Sequence, residues 1–282
     1  MTGPPPIPPK PPARQGRVSL LRYLRLFRQD ILSAQPERLY TARMADFRTP
    51  FFRSFLVNEP DLVDLVLKDR PDDFPKSDRV GEGLRPLLGR SVFVTNGAEW
   101  KRQRRIIDPA FERGRLKDSF PAMVAAAEAA AARLSPGPVE IEAEASHAAA
   151  DVIFRTLFSM PIESDAAQAV FRAFRAHQRA QPILNLAAFL PLPRWMPRLH
   201  RRATRRTAAE IRRLIAEVTA VRAAEIAAGR APDDLATRIM TTPDPVTGAC
   251  FDTAEMADQV AIFFLAGHET SASALAWALW LL

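Results

Sequence analysis

The stretch "FFLAGHETSASALAWALWLL" (residues 263–282) decides how the rest of the chain is read. It is apolar and helix-like, with no Gly or Pro after Gly267, yet it holds His268, Glu269 and Thr270 side by side. Upstream, Asp252 and Glu255 stand at capping-box spacing, so a long helix is expected to open there. A carboxylate inside such a helix costs free energy unless it is paired or faces water. The Thr270 hydroxyl can bond back to the Ala266 carbonyl, a contact that competes with the helical ladder. Gly267 leaves space beside that point. Ala266, Gly267 and Thr270 therefore make a small-residue notch, with Glu269 next to it as a proton carrier. A notch of that shape suits a water or a diatomic ligand beside a flat cofactor.

Plainer readings compete with this one. The stretch could be a core helix that tolerates a polar cluster. Residues 259–282 are long enough for a membrane anchor, but a charged residue near the centre of a span costs roughly 2.5–3.5 kcal/mol, and Glu269 lies close to that centre. A zinc-protease reading needs a second His four residues after His268, and position 272 is Ala. His147, His177 and His200 form no such pair either and read as surface or satisfied core residues.

The composition bounds the class. The 282 residues are 48% hydrophobic and 25% charged, as in a globular protein. The net charge of +7 is uneven. Residues 1–30 hold Lys10, Arg14, Arg17, Arg22, Arg25 and Arg28 against Asp30, and residues 194–213 hold a second arginine cluster against Glu210. These are solvated faces or patches for an acidic partner, a nucleic acid or an anionic membrane surface. No nucleic-acid motif accompanies them, so no nucleic-acid partner is expected. The single Cys250 excludes an internal disulfide framework and a Cys-rich zinc site, and fits a cytoplasmic protein. "MTGPPPIPPKPPARQG" lacks the apolar segment of a secretory signal. Arg22 and Arg25 break "VSLLRYLRLF", so no integral membrane span is expected there.

Along the chain, residues 1–16 read as a Pro-rich disordered tail. Residues 17–43 read as one or two amphipathic helices, and "MADFRTPFFRSFLV" as two short strands around Thr49 and Pro50. A helix follows with Asn58 as a possible cap, Pro60 in its first turn and Leu62, Leu65 and Val66 as a buried stripe. Residues 69–96 read as a long loop, "GAEWKRQRRIIDPAF" as a helix, residues 115–134 as an Ala-rich helix and "VEIEAEA" as a strand. Helices are expected at 146–159, 163–180, 198–228 and 233–240, with a Pro-punctuated apolar segment at 181–197. The fold class is mainly α with a few short β-strands.

"AGHETS" resembles the oxygen-activation motif of cytochrome P450 monooxygenases. "WKRQR" resembles that family's Trp-x-x-x-Arg helix, and "FPKS", "GLRPLLGRSVFVTNGAEW" and "IIDPAF" are similar to its surroundings in the family. The resemblance covers nearly the whole chain after the tail. It implies haem b as cofactor, with Trp100 and Arg104 bonding a propionate and Ala266 and Gly267 lying over the haem. It further implies that Glu269 and Thr270 deliver protons to dioxygen. One oxygen atom then enters a small apolar substrate, with electrons from a redox partner. Residues 69–96 would be a variable loop over the substrate and 181–197 a mobile lid. The physical chemistry agrees: a guanidinium fork suits a carboxylate, an indole N–H donates, and a spacing of four puts both on one helix face.

The pattern then breaks. The family's haem-ligating Cys lies in a loop well after the oxygen-activation helix, whereas Cys250 precedes that helix in "TGACFD". The pairs Glu82/Arg85, Glu99/Arg102, Glu112/Arg115 and Glu210/Arg213 match the family's Glu-x-x-Arg pattern, but all precede the helix and read as chance. Residues 17–282 are thus expected to be a partial P450 domain, the N-terminal part of a longer protein and inactive alone. The alternative is a non-catalytic P450-like fragment, a binding module or a degenerate product.

Overall fold

The computed structural model describes residues 12–30, 32–48, 53–112, 116–180 and 202–282. Residues 1–11 of the Pro-rich tail and the whole 181–197 lid lie outside the described residues. The chain forms two units, one reaching to residue 79 and the other starting at residue 80.

In the first unit, the Ser19 side chain accepts a hydrogen bond from the Arg22 N–H and opens helix α1 (Leu20–Gln29). A 3-10 turn follows at Glu37–Tyr40. Strands β1 (Met44–Arg48) and β2 (Arg53–Val57) pair antiparallel, Met44 opposite Val57 and Arg48 opposite Arg53, as the alternating sequence predicts. Helix α2 (Pro60–Asp64) has Pro60 in its first turn, but its cap is Glu59. Asn58 instead donates its side-chain N–H groups to the carbonyls of Leu39 and Ala42. A π-helical turn continues α2 over Leu65–Asp69, and Leu62, Leu65 and Val66 are half-buried rather than buried.

The second unit is helical. It contains α3 (Asp78–Leu88) from Val80 on, α4 (Gly97–Ile107) with a 3-10 turn to Phe111, α5 (Leu116–Arg133) and α6 (Ile141–Phe158). After these come α7 (Asp165–Ala180), α8 (Arg202–Ala227), α9 (Leu235–Thr241) and α10 (Thr253–Leu281). The main core is built from Leu88, Ile106, Phe154, Phe174, Ile211, Ile215, Met256 and Phe264, among others. Helix α10 packs on α6 and α8. Among the described residues no helix is long and apolar enough to cross a membrane. The first turns of α10, from Met256 to Phe264, bury their apolar side chains against protein.

Two expectations are corrected. Residues 69–96 are not a continuous loop, because α3 occupies their middle. Gly81, Pro86 and Gly89 read as punctuation, yet Leu87 and Leu88 are buried in the core and hold the segment helical. Residues 141–145 of "VEIEAEA" are the first turn of α6, not a strand. Glu and Ala favour helix over strand, Glu142 and Glu144 suit the positive end of the macrodipole, and Ala145 and Ala149 bury four residues apart.

Gly89 holds this unit together at one point. Its φ of 51° lies in the left-handed region, and a Cβ there would sit 2.2 Å from the Asp258 carboxylate. That carboxylate accepts from the Arg90 N–H at 2.6 Å and pairs with Arg212 at 2.7 Å. Gly89→Ala combines a left-handed alanine with a displaced ion pair. We expect a loss of at least about 2 kcal/mol of unfolding free energy, read by chemical denaturation; a midpoint equal to the parent's would show that the loop gives way freely.

Candidate functional site

Helix α10 begins as its sequence dictates. The Asp252 carboxylate accepts from the Glu255 N–H at 2.7 Å, and Glu255 accepts in return from the Asp252 N–H at 3.1 Å. The first turns of α10 then anchor the segment before α4 and α4 itself. Glu255 pairs with Arg102 at 2.5 Å. The Gln259 side-chain oxygen accepts from the Val92 N–H at 2.9 Å. Buried Gln103 donates to the Arg90 carbonyl at 2.6 Å and lies 2.6 Å from the Thr95 hydroxyl.

These anchors set where Trp100 and Arg104 stand relative to α10. The two are one turn apart on α4, with the guanidinium carbon 5.9 Å from the indole centroid. Arg104 pairs with Asp108 at 2.8 Å, both side chains about half exposed. A pair that open contributes about 0–1 kcal/mol, so it can be exchanged for another carboxylate. Beyond Asp108, half-exposed Phe111 meets Phe263 of α10 edge-on, with centroids 5.6 Å apart.

Phe263 lies on the same face of α10 as Gln259, Ala266 and Thr270, at spacings of four, three and four. Ala266 and Thr270 are exposed on that face. The Thr270 hydroxyl donates to the Ala266 carbonyl at 2.5 Å, the back-bond expected from the sequence. Gly267 points elsewhere. A Cβ on it would lie 3.1 Å from the Ile153 side chain of α6. Its missing side chain lets α10 approach α6, and the open side of the notch is Ala266 with Thr270. Glu269 is exposed and accepts a short hydrogen bond from the Gln178 amide of α7.

His268 was not legible as an anchor. It is 1% exposed, its Nε2 is 2.7 Å from the Ser146 hydroxyl of α6, and its ring stacks on Phe264 and meets Phe171 edge-on. This peg fixes the rotation of α10, which turns Glu269 to α7 and Thr270 outward. A buried polar residue flanked by apolar ones at helical spacing is the only sequence signal for it. His177 is a satisfied core histidine, bonded to the Thr207 hydroxyl at 2.8 Å.

Burial pushes the His147, His177 and His268 imidazoles below their usual value. The unfolded chain takes up these protons near pH 6.5, while the folded one refuses them. The unfolded state therefore binds more protons as pH falls below about 6.5, and stability declines in that window. We expect the melting temperature to drop between pH 7.5 and 5, and His268→Gln to flatten the slope. A melting temperature that stays level or rises would contradict neutral buried histidines.

Of the Glu-x-x-Arg matches, two pair within themselves, one does not, and the match at Glu112 ends outside the described residues. Glu99 pairs with Arg90 and Arg102 with Glu255, while Glu82–Arg85 and Glu210–Arg213 are exposed pairs within single helices. Cys250 is exposed, just before the Asp252 cap. From Asp252 to Thr270 the helix climbs roughly 27 Å, so this thiol is remote from the face that carries Thr270. Among the described residues no group of His, Cys, Asp and Glu side chains could hold a metal ion.

Comparison with known proteins gives the family. Residues 47–282 match the Cytochrome P450 family model, and the chain belongs to the cytochrome P450 family. It is 31% identical over 236 residues to cyclooctat-9-en-7-ol 5-monooxygenase of Streptomyces melanosporofaciens, covering 82% of this chain and 49% of that protein. It is 32% identical over 222 residues to pentalenene oxygenase of Streptomyces avermitilis, covering 77% and 47%. A cytokinin hydroxylase of Arabidopsis thaliana is 31% identical over 209 residues, covering 71% and 40%. The crystal structure of the cytochrome P450DA heme domain shares the fold at a TM-score of 0.67 and 22% identity, covering 96% of this chain and 59% of that one. The chain thus spans about half the length of these named relatives.

Proposed function

We propose that this chain carries one side of a haem-thiolate monooxygenase, the oxygen-activation face and the propionate edge, and is non-catalytic by itself. The observation that supports this reading is the Phe111–Phe263 contact, which joins the turn after α4 to the α10 face that carries Ala266 and Thr270. Haem fits that side in part. Arg104 and Trp100 would hold a propionate, with Asp108 released to water. Ala266 would lie against the macrocycle and leave room above it. Bound haem supplies the redox iron for dioxygen chemistry. Glu269, exposed and steadied by Gln178, would exchange protons with water, and water would carry them round the helix to the Thr270 hydroxyl. The Thr270 hydroxyl, whose proton rests on the Ala266 carbonyl, would accept a proton from that water and turn to release its own into the open side of the notch. The thiolate does not fit: Cys250 is exposed and remote from this face.

In a complete enzyme the substrate is a small apolar organic molecule, in keeping with relatives named for cyclooctat-9-en-7-ol and pentalenene. Electrons come from a redox partner. The chain alone is a P450-like binding module.

Reconstitution with haem tests the ligand assignment. We expect no thiolate-type Soret band in the reduced carbon-monoxide spectrum. A clear band that disappears in Cys250→Ala would overturn the exclusion of Cys250.

A further inference from the structure

Most of the arginines discussed so far find a carboxylate; in the first unit Arg43 pairs with Glu59, Arg53 with Asp46 and Arg70 with Asp73. Helix α1 is different. It carries Arg22, Arg25 and Arg28 at spacings of three and contains no acidic residue. All three are exposed, and none has an ion pair among the described residues. The nearest carboxylate in sequence, Asp30, is taken up by the Leu32 and Ser33 N–H groups and the Ser33 hydroxyl.

The other side of α1 is apolar. Tyr23, Leu24, Leu26 and Phe27 are half-buried, and Tyr23 and Phe27 touch with centroids 6.0 Å apart. Leu21 stands apart from them. At about 100° per residue it falls within about 40° of Arg25 and Arg28, and it is 81% exposed. Leu32, just past the helix, is 44% exposed. The outward face is therefore a row of unpaired guanidinium groups with a leucine among them.

We infer that α1 docks the protein peripherally on an anionic phospholipid surface. Guanidinium groups would meet lipid phosphates, and Leu21 would enter the boundary between headgroups and acyl chains, as interfacial helices do. Charge complementarity alone would admit nucleic acid or an acidic protein. The exposed Leu21 favours lipid, because a bilayer offers an apolar phase directly beneath its phosphates wherever the helix lands. Over a nucleic acid backbone, or an acidic surface without an apolar groove, that leucine gains nothing.

The 282-residue chain can be sedimented with vesicles of phosphatidylcholine alone or mixed with phosphatidylglycerol. We expect binding to the mixed vesicles only, weakening with salt. The triple variant Arg22→Gln/Arg25→Gln/Arg28→Gln should bind about a hundredfold more weakly, since each arginine near an anionic surface is worth about fivefold. Leu21→Ser should weaken binding several-fold. The charge-preserving Lys triple variant and Trp277→Ala/Trp280→Ala should both bind like the parent. Equal binding to phosphatidylcholine, an unaffected Gln variant, a Lys variant as weak as Gln, or loss in the Trp variant would each overturn the proposal. So would duplex DNA or polyglutamate that binds through these arginines more tightly than the mixed vesicles.

Discussion

Arg222→Ala is expected to lower the unfolding free energy by about 3–5 kcal/mol, the usual cost of breaking a buried ion pair from one side. The Arg222 side chain is 6% exposed and that of Asp234 is 5% exposed. Its guanidinium bonds both Asp234 carboxylate oxygens, the Phe158 carbonyl at 2.8 Å, the Thr237 hydroxyl at 3.0 Å and Glu225 at 2.8 Å. Asp234 also caps α9 through the Thr237 N–H at 3.1 Å and accepts from the Ser159 hydroxyl at 2.9 Å. One side chain thus ties α6, α8 and α9 together. Removing it leaves a buried carboxylate with weaker partners and a carbonyl with none of its former guanidinium donors. Arg222→Met/Asp234→Asn removes both charges and should recover part of the loss. Urea denaturation with both variants decides the matter. A single-variant loss below about 1 kcal/mol would mean that water or rearrangement replaces the pair.

Thr270→Ala has the largest expected effect on chemistry. In a complete, haem-loaded enzyme carrying this chain, product formation should fall by about 10², the low end for general acid–base contributions, because water can partly substitute. Reducing equivalents should go to peroxide and water. Stability should barely change, since Thr270 is exposed and its back-bond to Ala266 competes with the ladder. Arg104→Ala should behave oppositely, with weaker haem retention and little change in the coupling of retained haem. Haem content and product per reduced nicotinamide, measured for both variants, separate the two roles. A fully coupled Thr270→Ala, or an Arg104→Ala that keeps haem like the parent, would remove that residue from the proposed site.

The shared helix face of Trp100 and Arg104 was legible because a spacing of four fixes it whatever the rest of the chain does. The same holds for the Asp252–Glu255 box and the Thr270 back-bond. Strand and helix were confused at residues 141–145 because V-E-I-E-A-E-A alternates, whereas Glu and Ala propensity and the burial of Ala145 and Ala149 four residues apart select the helix. Residues 78–88 were hidden for the converse reason: Gly and Pro obscured apolar positions that the core holds in place.

By itself, then, the sequence determined that Glu269 and Thr270 sit on one long helix, that Trp100 and Arg104 share a face of another, and that Cys250 precedes α10. Each of these rests on contacts within a few residues, where helix geometry leaves little choice. Tertiary structure alone decided which way the pairs face. Gln178 reaches Glu269 across 91 residues, Asp258 meets the Arg90 N–H across 168, and Ser146 meets His268 across 122. It also decided that Gly267 serves the approach of α6 while Ala266 stays open. Such pairings depend on how helices pack, and packing is settled by the summed burial of many side chains, not by the local spacing of any one motif.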